Sequence, residues 1–197
     1  MKTSGELFNA TSLEDWLAQG RWPGSLAVSA TCGCDVTRLG EEICDYLNAR
    51  EGSDGELLMS FDREDIRRLA GEPSLRRKIL SAVAEPENFS ASGSDYECMI
   101  RSVASLGGAI LAGQCCLDAT RGMPNVFRVM VSSCGRCPKD DPSMRLDPAR
   151  FTTESLVEVI AASFANWCRR QPSATDQPLS PGKETTTSRV SLSPVAS

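Results

Sequence analysis

The chain has 197 residues, 41% of them hydrophobic, which is enough for one domain with a substantial core. A formal net charge of −5 argues against non-specific binding to nucleic acid or to a membrane surface. Nine cysteines at irregular spacing are unlike a secreted disulfide framework, and the absence of histidine removes the commonest general base and zinc ligand. The acidic amino-terminal stretch lacks the apolar segment of a signal peptide, so the expected location is the cytoplasm.

The two ends of the chain differ in composition from the middle. Residues 1–24 are predicted to be an accessory segment with a short helix that carries Leu13, Trp16 and Leu17 on one face. From residue 171 onward, 14 of 27 residues are Ser, Thr or Pro, which predicts a disordered tail over 171–197. The folded domain is therefore expected to span residues 25–170.

The domain is predicted to begin with a strand, a tight turn and a helix. An apolar run at 26–28 leads into small residues at 30–36, and Leu39, Ile43 and Leu47 then recur at helical spacing. In this layout the loop amides and the positive end of the helix dipole converge on an anion. The pattern indicates either a phosphate-binding loop or a strand-to-helix turn that binds no ligand.

Further strands and helices are predicted to alternate along the chain. Residues 57–61 form a short buried strand, Asp62 caps a helix over 63–70, and Pro73 begins another. A helix over 96–106 follows.

The carboxyl-terminal half contains two apolar runs. The runs at 109–112 and 126–131 are typical of interior strands of a parallel sheet, which are buried on both faces. The polar stretch 132–148 is predicted to be a loop, and Thr152 or Thr153 to cap a final helix. The alternation predicts an α/β fold with a parallel sheet.

Four blocks of the chain occur in an order found in one protein family. They are the opening loop at 29–36, Phe61-Asp62-Arg63-Glu64, the segment from Gly107 to Val131, and the closing segment from Leu146 to Val159. Over roughly residues 26–169 they resemble the cytidylate kinase-like group of P-loop nucleoside monophosphate kinases. The resemblance implies a P-loop NTPase-like three-layer α/β sandwich with a central parallel sheet. It also implies ATP-dependent phosphorylation of a nucleoside monophosphate, with CMP as the expected acceptor and ATP and Mg²⁺ as cofactors.

The resemblance also implies the site residues. The nucleotide cofactor would be bound by Gly33, Cys34, Asp35, Val36, Thr37 and Arg38. The acceptor would be bound by Asp62, Arg63, Gly113 and Gln114. Thr37 is interpreted either as a Mg²⁺ ligand or as a helix cap. No protein metal site and no catalytic residue is assigned, and the expected partner is a nucleotide, with neither nucleic acid nor a membrane.

The chain departs from the family pattern where the chemistry would occur. Asp35 and Val36 replace the last two loop glycines, and Gln114 replaces an arginine that contacts the monophosphate in such kinases. Between Val131 and Asp140 a long arginine-bearing lid is reduced to eight residues, SSCGRCPK. An inward-facing Asp35 would repel a phosphate charge ~4 Å away by ~4 kcal/mol at an effective dielectric constant of ~20. If it faces outward, or helps to hold Mg²⁺, that repulsion does not apply.

These departures predict a kinase-like protein whose activity is strongly reduced or lost. One alternative is a non-catalytic nucleotide-binding or interaction module. Another is a cysteine-based redox or metal-binding protein built on the Cys-x-x-Cys pair Cys134 and Cys137. The interpretation that competes with the second alternative is that these are incidental cysteines in a shortened loop.

Overall fold

The computed structural model describes residues 10–18, 22–31, 33–51, 57–83, 94–133 and 142–171. Within these ranges the chain forms α-helices and strands in alternation. The helices are α1 (Ala10–Ala18), α2 (Val36–Glu51), α3 (Arg63–Gly71), α4 (Pro73–Ala82), α5 (Asp95–Ser105), α6 (Gln114–Ala119) and α7 (Thr153–Cys168). The strands are β1 (Ser25–Ala30), β2 (Met59–Phe61), β3 (Ala109–Ala112), β4 (Val126–Val131) and β5 (Met144–Leu146).

The five strands form one all-parallel sheet in the order β2-β3-β1-β4-β5. The central strand β1 pairs with β4 from Ser25↔Val126 to Ala30↔Val131, and with β3 on its other side. Strands β1 and β3 are buried on both faces, as expected for interior parallel strands. The predicted parallel α/β sheet is therefore confirmed.

Helices cover both faces of the sheet. Helices α2 and α7 pack on one face, where Ile43 and Phe164 belong to the same buried cluster. Helices α1, α3, α4, α5 and α6 contribute to the cluster on the other face, which includes Trp16 and Ile100. The molecule is thus a three-layer α/β sandwich, and none of its helices within the described ranges has the length and apolar character needed to cross a membrane.

Helix α1 packs into the core rather than lying apart from it. The Trp16 indole Nε1 donates to the carbonyl of Gly108 at 3.2 Å, and its ring meets Phe61 edge-to-face at 5.2 Å. Lys78 of α4 forms an ion pair with Glu14 of α1. The start of the folded domain at residue 25 stays a prediction, and the predicted tail lies outside the described residues beyond Gln171.

One detail of the fold differs from the sequence-based prediction, and one choice that the prediction left open is resolved. The stretch 132–148 was expected to be a loop, but Met144–Leu146 forms the edge strand β5. Three residues with a central arginine are too short to show a period of two, and only pairing with β4 stabilises them as a strand. The final helix is capped by Thr152, whose hydroxyl accepts from the amide of Ser155 at 3.2 Å.

The connections leave a crevice at the carboxyl end of the sheet. From the adjacent strands β1 and β3, the chain passes to α2 on one face and to α6 on the opposite face. In open parallel sheets, ligands bind where neighbouring connections diverge in this way. Both sets of predicted site residues lie at this edge.

Candidate functional site

The loop between β1 and α2 begins at the centre of the crevice. The Thr31 amide donates to the carbonyl of Val131 at 2.9 Å, and its hydroxyl donates to the Ser132 hydroxyl at 2.7 Å. These two bonds tie the loop to the end of β4. Gly33 has a φ of +78°, a left-handed conformation that favours glycine. Cys32 lies outside the described residues.

Asp35 caps the amino terminus of α2. Its carboxylate Oδ1 accepts from the amide of Arg38 at 3.1 Å, and its carbonyl accepts the helical bond from Leu39 at 3.0 Å. Thr37 is the second residue of the helix, so the interpretation of Thr37 as the cap is wrong. Val36 is the first helical residue and needs no left-handed backbone. The sequence-based prediction missed the Asp35 cap because the resemblance placed this residue in a phosphate loop.

The side chains around this helix start carry more negative than positive charge. Arg38 Nε pairs with the Glu42 carboxylate at 2.7 Å, and this hydrogen bond raises the pKa of the guanidinium. Glu154, at the start of α7, also faces Arg38. Its pKa is lowered by its own backbone amide, then by Thr152 and Arg38. Among the described residues, Arg38 therefore has three carboxylates near it, those of Asp35, Glu42 and Glu154.

An anion at this helix start would compete with a carboxylate of the protein itself. The amide of Arg38, which would face a bound anion, is already bonded to a carboxylate. Burial raises the pKa of the Cys34 thiol, with Asp35 and Glu42 adding to the effect, so the thiol stays protonated. Among the described residues no group of three or more Cys, Asp or Glu side chains is placed to hold a metal ion.

A second group of predicted residues lies at the end of β2. Asp62 is the cap of α3: its carboxylate accepts from the amides of Glu64 at 2.8 Å and Asp65 at 2.9 Å. In return Asp65 Oδ2 accepts from the Asp62 amide at 3.1 Å, which completes a capping box. The predicted capping by Asp62 is confirmed. Burial raises the pKa of Asp65 to about 6, with the neighbouring Asp62 charge contributing.

Next to this cap is a cluster of polar side chains, here called the Arg-Tyr cluster: Arg63, Arg67, Tyr96 and Cys115. Burial raises the pKa of the Tyr96 hydroxyl to about 12, with the Cys116 and Cys115 thiols adding to the effect. Arg63 and Arg67 oppose the shift, which places their positive charges near the phenol. The cluster thus joins the starts of α3, α5 and α6.

Members of the Arg-Tyr cluster differ in whether their charge is paired within the described residues. Arg67 pairs with Glu64 at 2.6 Å, whereas the exposed Arg63 has no ion pair with any described residue. Gln114 is exposed as the first residue of α6, directly after Gly113, whose φ is +152°. Of the predicted acceptor residues, Arg63 thus lies in the Arg-Tyr cluster, Gln114 directly precedes Cys115 of that cluster, and Asp62 is the cap of α3. Sequence reasoning missed Tyr96 and Arg67; the spacing of Arg63 and Arg67 on one helical face was the available signal.

The buried Cys44 and Cys116 have the character of protonated thiols. Burial raises the pKa of Cys44 to about 12 and that of Cys116 to about 12. The Cys44 thiol donates to the carbonyl of Leu58 at 3.2 Å, which is a structural role. Cys134 and Cys137 lie outside the described residues, so the predicted redox or metal role of that pair stays a prediction.

No protein-family model matches this chain, and no curated protein shows significant similarity to it. Function is therefore inferred from the geometry at the carboxyl edge of the sheet together with the sequence resemblance.

Proposed function

We propose that this chain is a cytidylate kinase-like domain that binds a nucleoside monophosphate, with CMP as the expected ligand, and in which phosphoryl transfer from ATP is strongly reduced or lost. The observation that carries the proposal is the Asp35 carboxylate, bonded at 3.1 Å to the amide of Arg38 at the start of α2. The protein's own anion takes the place that the helix amino terminus would offer to phosphate.

A triphosphate would meet two separate costs at this loop. It would have to displace the Asp35 cap, which is worth about 0.5–2 kcal/mol to a helix. It would also be repelled by Asp35, by ~1 kcal/mol in water and ~4 kcal/mol at an effective dielectric constant of ~20 for charges ~4 Å apart. Arg38 offsets little of this, because its charge is paired with Glu42. Positioning and charge neutralisation are the main contributions a protein makes to phosphoryl transfer, and both are weakened here.

The Arg-Tyr cluster supports retention of the monophosphate site. The guanidinium of Arg63 suits bidentate contact with a phosphate, whereas the charge of the nearby Arg67 is paired with Glu64. The Tyr96 hydroxyl and the Gln114 amide are hydrogen-bonding groups for the remaining polar atoms of a nucleotide. A monophosphate bound there carries less charge than a triphosphate and does not require the α2 amide.

Thermal unfolding with added ligand tests the proposal. CMP at about 100 times its Kd would stabilise the fold by about 2.7 kcal/mol, which raises the Tm of a domain of this size by roughly 5–10 °C. Arg63→Gln is expected to remove most of the shift. Arg77→Gln is the matched control, an exposed arginine on α4 outside the cluster, and should leave the shift unchanged.

A radiolabel assay with ATP, Mg²⁺ and CMP tests the loss of catalysis. We expect turnover at least about a thousandfold below the roughly 1–100 s⁻¹ of active kinases. Turnover within that range would refute the loss. If CMP produces no thermal shift, the retained nucleotide site is refuted and the interaction-module alternative is favoured.

A further inference from the structure

A cavity of about 300 Å³ lies at the edge of the sheet opposite to the proposed nucleotide site. It is bordered by the amino-terminal ends of β4 and β5 and by the last turns of α7. The six residues of β4 separate the two sites by roughly 17 Å at ~3.3 Å per residue. The cavity therefore belongs to neither the α2 loop nor the Arg-Tyr cluster.

The cavity exists because the edge strand β5 does not run alongside the first residues of β4. Strand β5 pairs with β4 only from Val129↔Met144 onward, and the same register would place Pro142 beside Phe127. Proline has no amide hydrogen for the ladder, so the strand does not extend to that position. Helix α7 continues past this point and leaves a notch between itself and the sheet.

Aromatic rings form the floor of the notch. Phe127 and Trp167 lie 5.6 Å apart between ring centroids, and Trp167 stacks on Phe164 at 6.0 Å. Gly24 lies directly behind Trp167, since a Cβ at that glycine would come within 2.5 Å of the indole ring. The indole is thus held in place by its neighbours, and it presents a pre-formed, partly exposed flat surface.

Polar side chains from α7 form the rim. Ser163, Asn166 and Arg170 line the cavity from one face of α7 and its carboxyl-terminal turn. Among the described residues, none of these three side chains has a hydrogen-bond or ion-pair partner. Ser143, on the opposite side, accepts from the Arg128 amide at 3.1 Å. A fixed aromatic floor beside free polar groups and one cation is the composition of a small-ligand site.

We propose that this cavity binds a planar aromatic acid, with the ring on Trp167 and Phe127 and the carboxylate on Arg170. The indole face of Trp167 selects a planar ring by offset stacking, and the Phe127 ring, tilted by 40° to the indole, bounds the site beside it. The Arg170 guanidinium, which has no partner among the described residues, supplies the complementary charge, and the Asn166 amide supplies a further donor. The inference is independent of the nucleotide site, since no residue is shared.

Calorimetric titration of the full chain with 2-naphthoate tests the proposal, and 2-naphthalenemethanol is the uncharged comparison. We expect saturable 1:1 binding of naphthoate with a Kd of about 1 mM or tighter, as a ligand of this size gives in a formed pocket. The alcohol should bind about fivefold more weakly, because it lacks the ion pair with Arg170.

Variants locate the site. Arg170→Gln should weaken naphthoate binding about fivefold. Arg169→Gln, the exposed neighbour that does not line the cavity, should change it less than about twofold. Ser163→Trp, which fills the cavity, should abolish binding, and CMP should not compete. The proposal is overturned if binding does not saturate, if the two arginine variants behave alike, or if a folded Ser163→Trp variant still binds. Should that variant not fold, the two arginine variants decide.

Discussion

Asp35→Asn separates the two effects of the carboxylate at the start of α2. In the structure Oδ1 of Asp35 accepts from the amide of Arg38 at 3.1 Å. The asparagine carbonyl can accept the same bond, and Asn and Asp are similarly good helix caps. The substitution therefore keeps the cap and removes one negative charge. Asp35→Ala removes both.

The expected changes in stability are small. Loss of a favourable charge at a helix amino terminus costs about 0.3–1 kcal/mol, so the Tm of Asp35→Asn should fall by about 1–4 °C. Loss of the whole cap in Asp35→Ala costs about 0.5–2 kcal/mol, or about 1–8 °C.

The expected changes in ATP affinity are larger. Removal of a unit charge ~4 Å from a phosphate is worth ~4 kcal/mol at an effective dielectric constant of ~20 and ~1 kcal/mol in water. Because Asp35 is exposed, the effect should lie towards the lower limit, about 1–2 kcal/mol, which corresponds to a gain of about 5- to 30-fold.

Isothermal titration of ATP with Mg²⁺ into the wild type and the Asp35 variants measures this effect. Affinity for CMP should change less than about twofold, since the Arg-Tyr cluster does not include this residue. Asp45→Asn, which removes an exposed charge further along α2, is the matched control and should not strengthen ATP binding. If Asp35→Asn binds ATP no more tightly than the wild type, the carboxylate is not what excludes the triphosphate.

Two further substitutions test the energetics of the fold. Ser29→Ala should raise the free energy of unfolding by about 1 kcal/mol, because its buried hydroxyl has no partner among the described residues. Ser25→Ala, on the same strand, should lower it by about 1 kcal/mol, because the Ser25 hydroxyl donates to the Ala104 carbonyl at 2.9 Å. Urea unfolding measures both changes in the free energy of unfolding. Equal changes in the two variants would contradict the contrast between an unpaired and a hydrogen-bonded hydroxyl. Asp65→Asn should flatten the pH dependence of stability. Burial raises the pKa of Asp65 in the fold to about 6. That value lies above the unfolded value of about 3.9, so its contribution to stability is lost as the pH rises from about 4 through about 6. With solvent screening of this partly exposed group, the variant should be about 1 kcal/mol more stable than the wild type near pH 7.5 and equal to it near pH 4. A gain in stability of the same size at both pH values would count against a raised pKa of Asp65.

The sequence predicted the elements whose signals are local. The strand and helix over Ser25 to Leu47 carry apolar residues at the right period, and Asp62 is followed by a helical pattern. Both were found as expected. Strand β5 was missed because its three residues gain strand structure only from their neighbour β4.

In the opening loop, too, some features could be predicted from the sequence and others depended on the tertiary structure. From sequence alone, the strand-turn-helix pattern and the unexpected Asp35 were visible, because periodicity and residue type are properties of the chain. The direction of the Asp35 carboxylate was not, since it depends on where α2 begins and which amide is left unpaired there. The proximity of Tyr96 to Arg63 and the notch beside Trp167 likewise arise from elements distant in the chain, whereas the pairing of Arg38 with Glu42 follows the i,i+4 spacing of one helix. The amino-acid pattern determined the elements whose signals are local. Packing decided the edge strand β5 and which side chains of distant elements meet, because those contacts depend on three-dimensional distance and not on spacing along the chain.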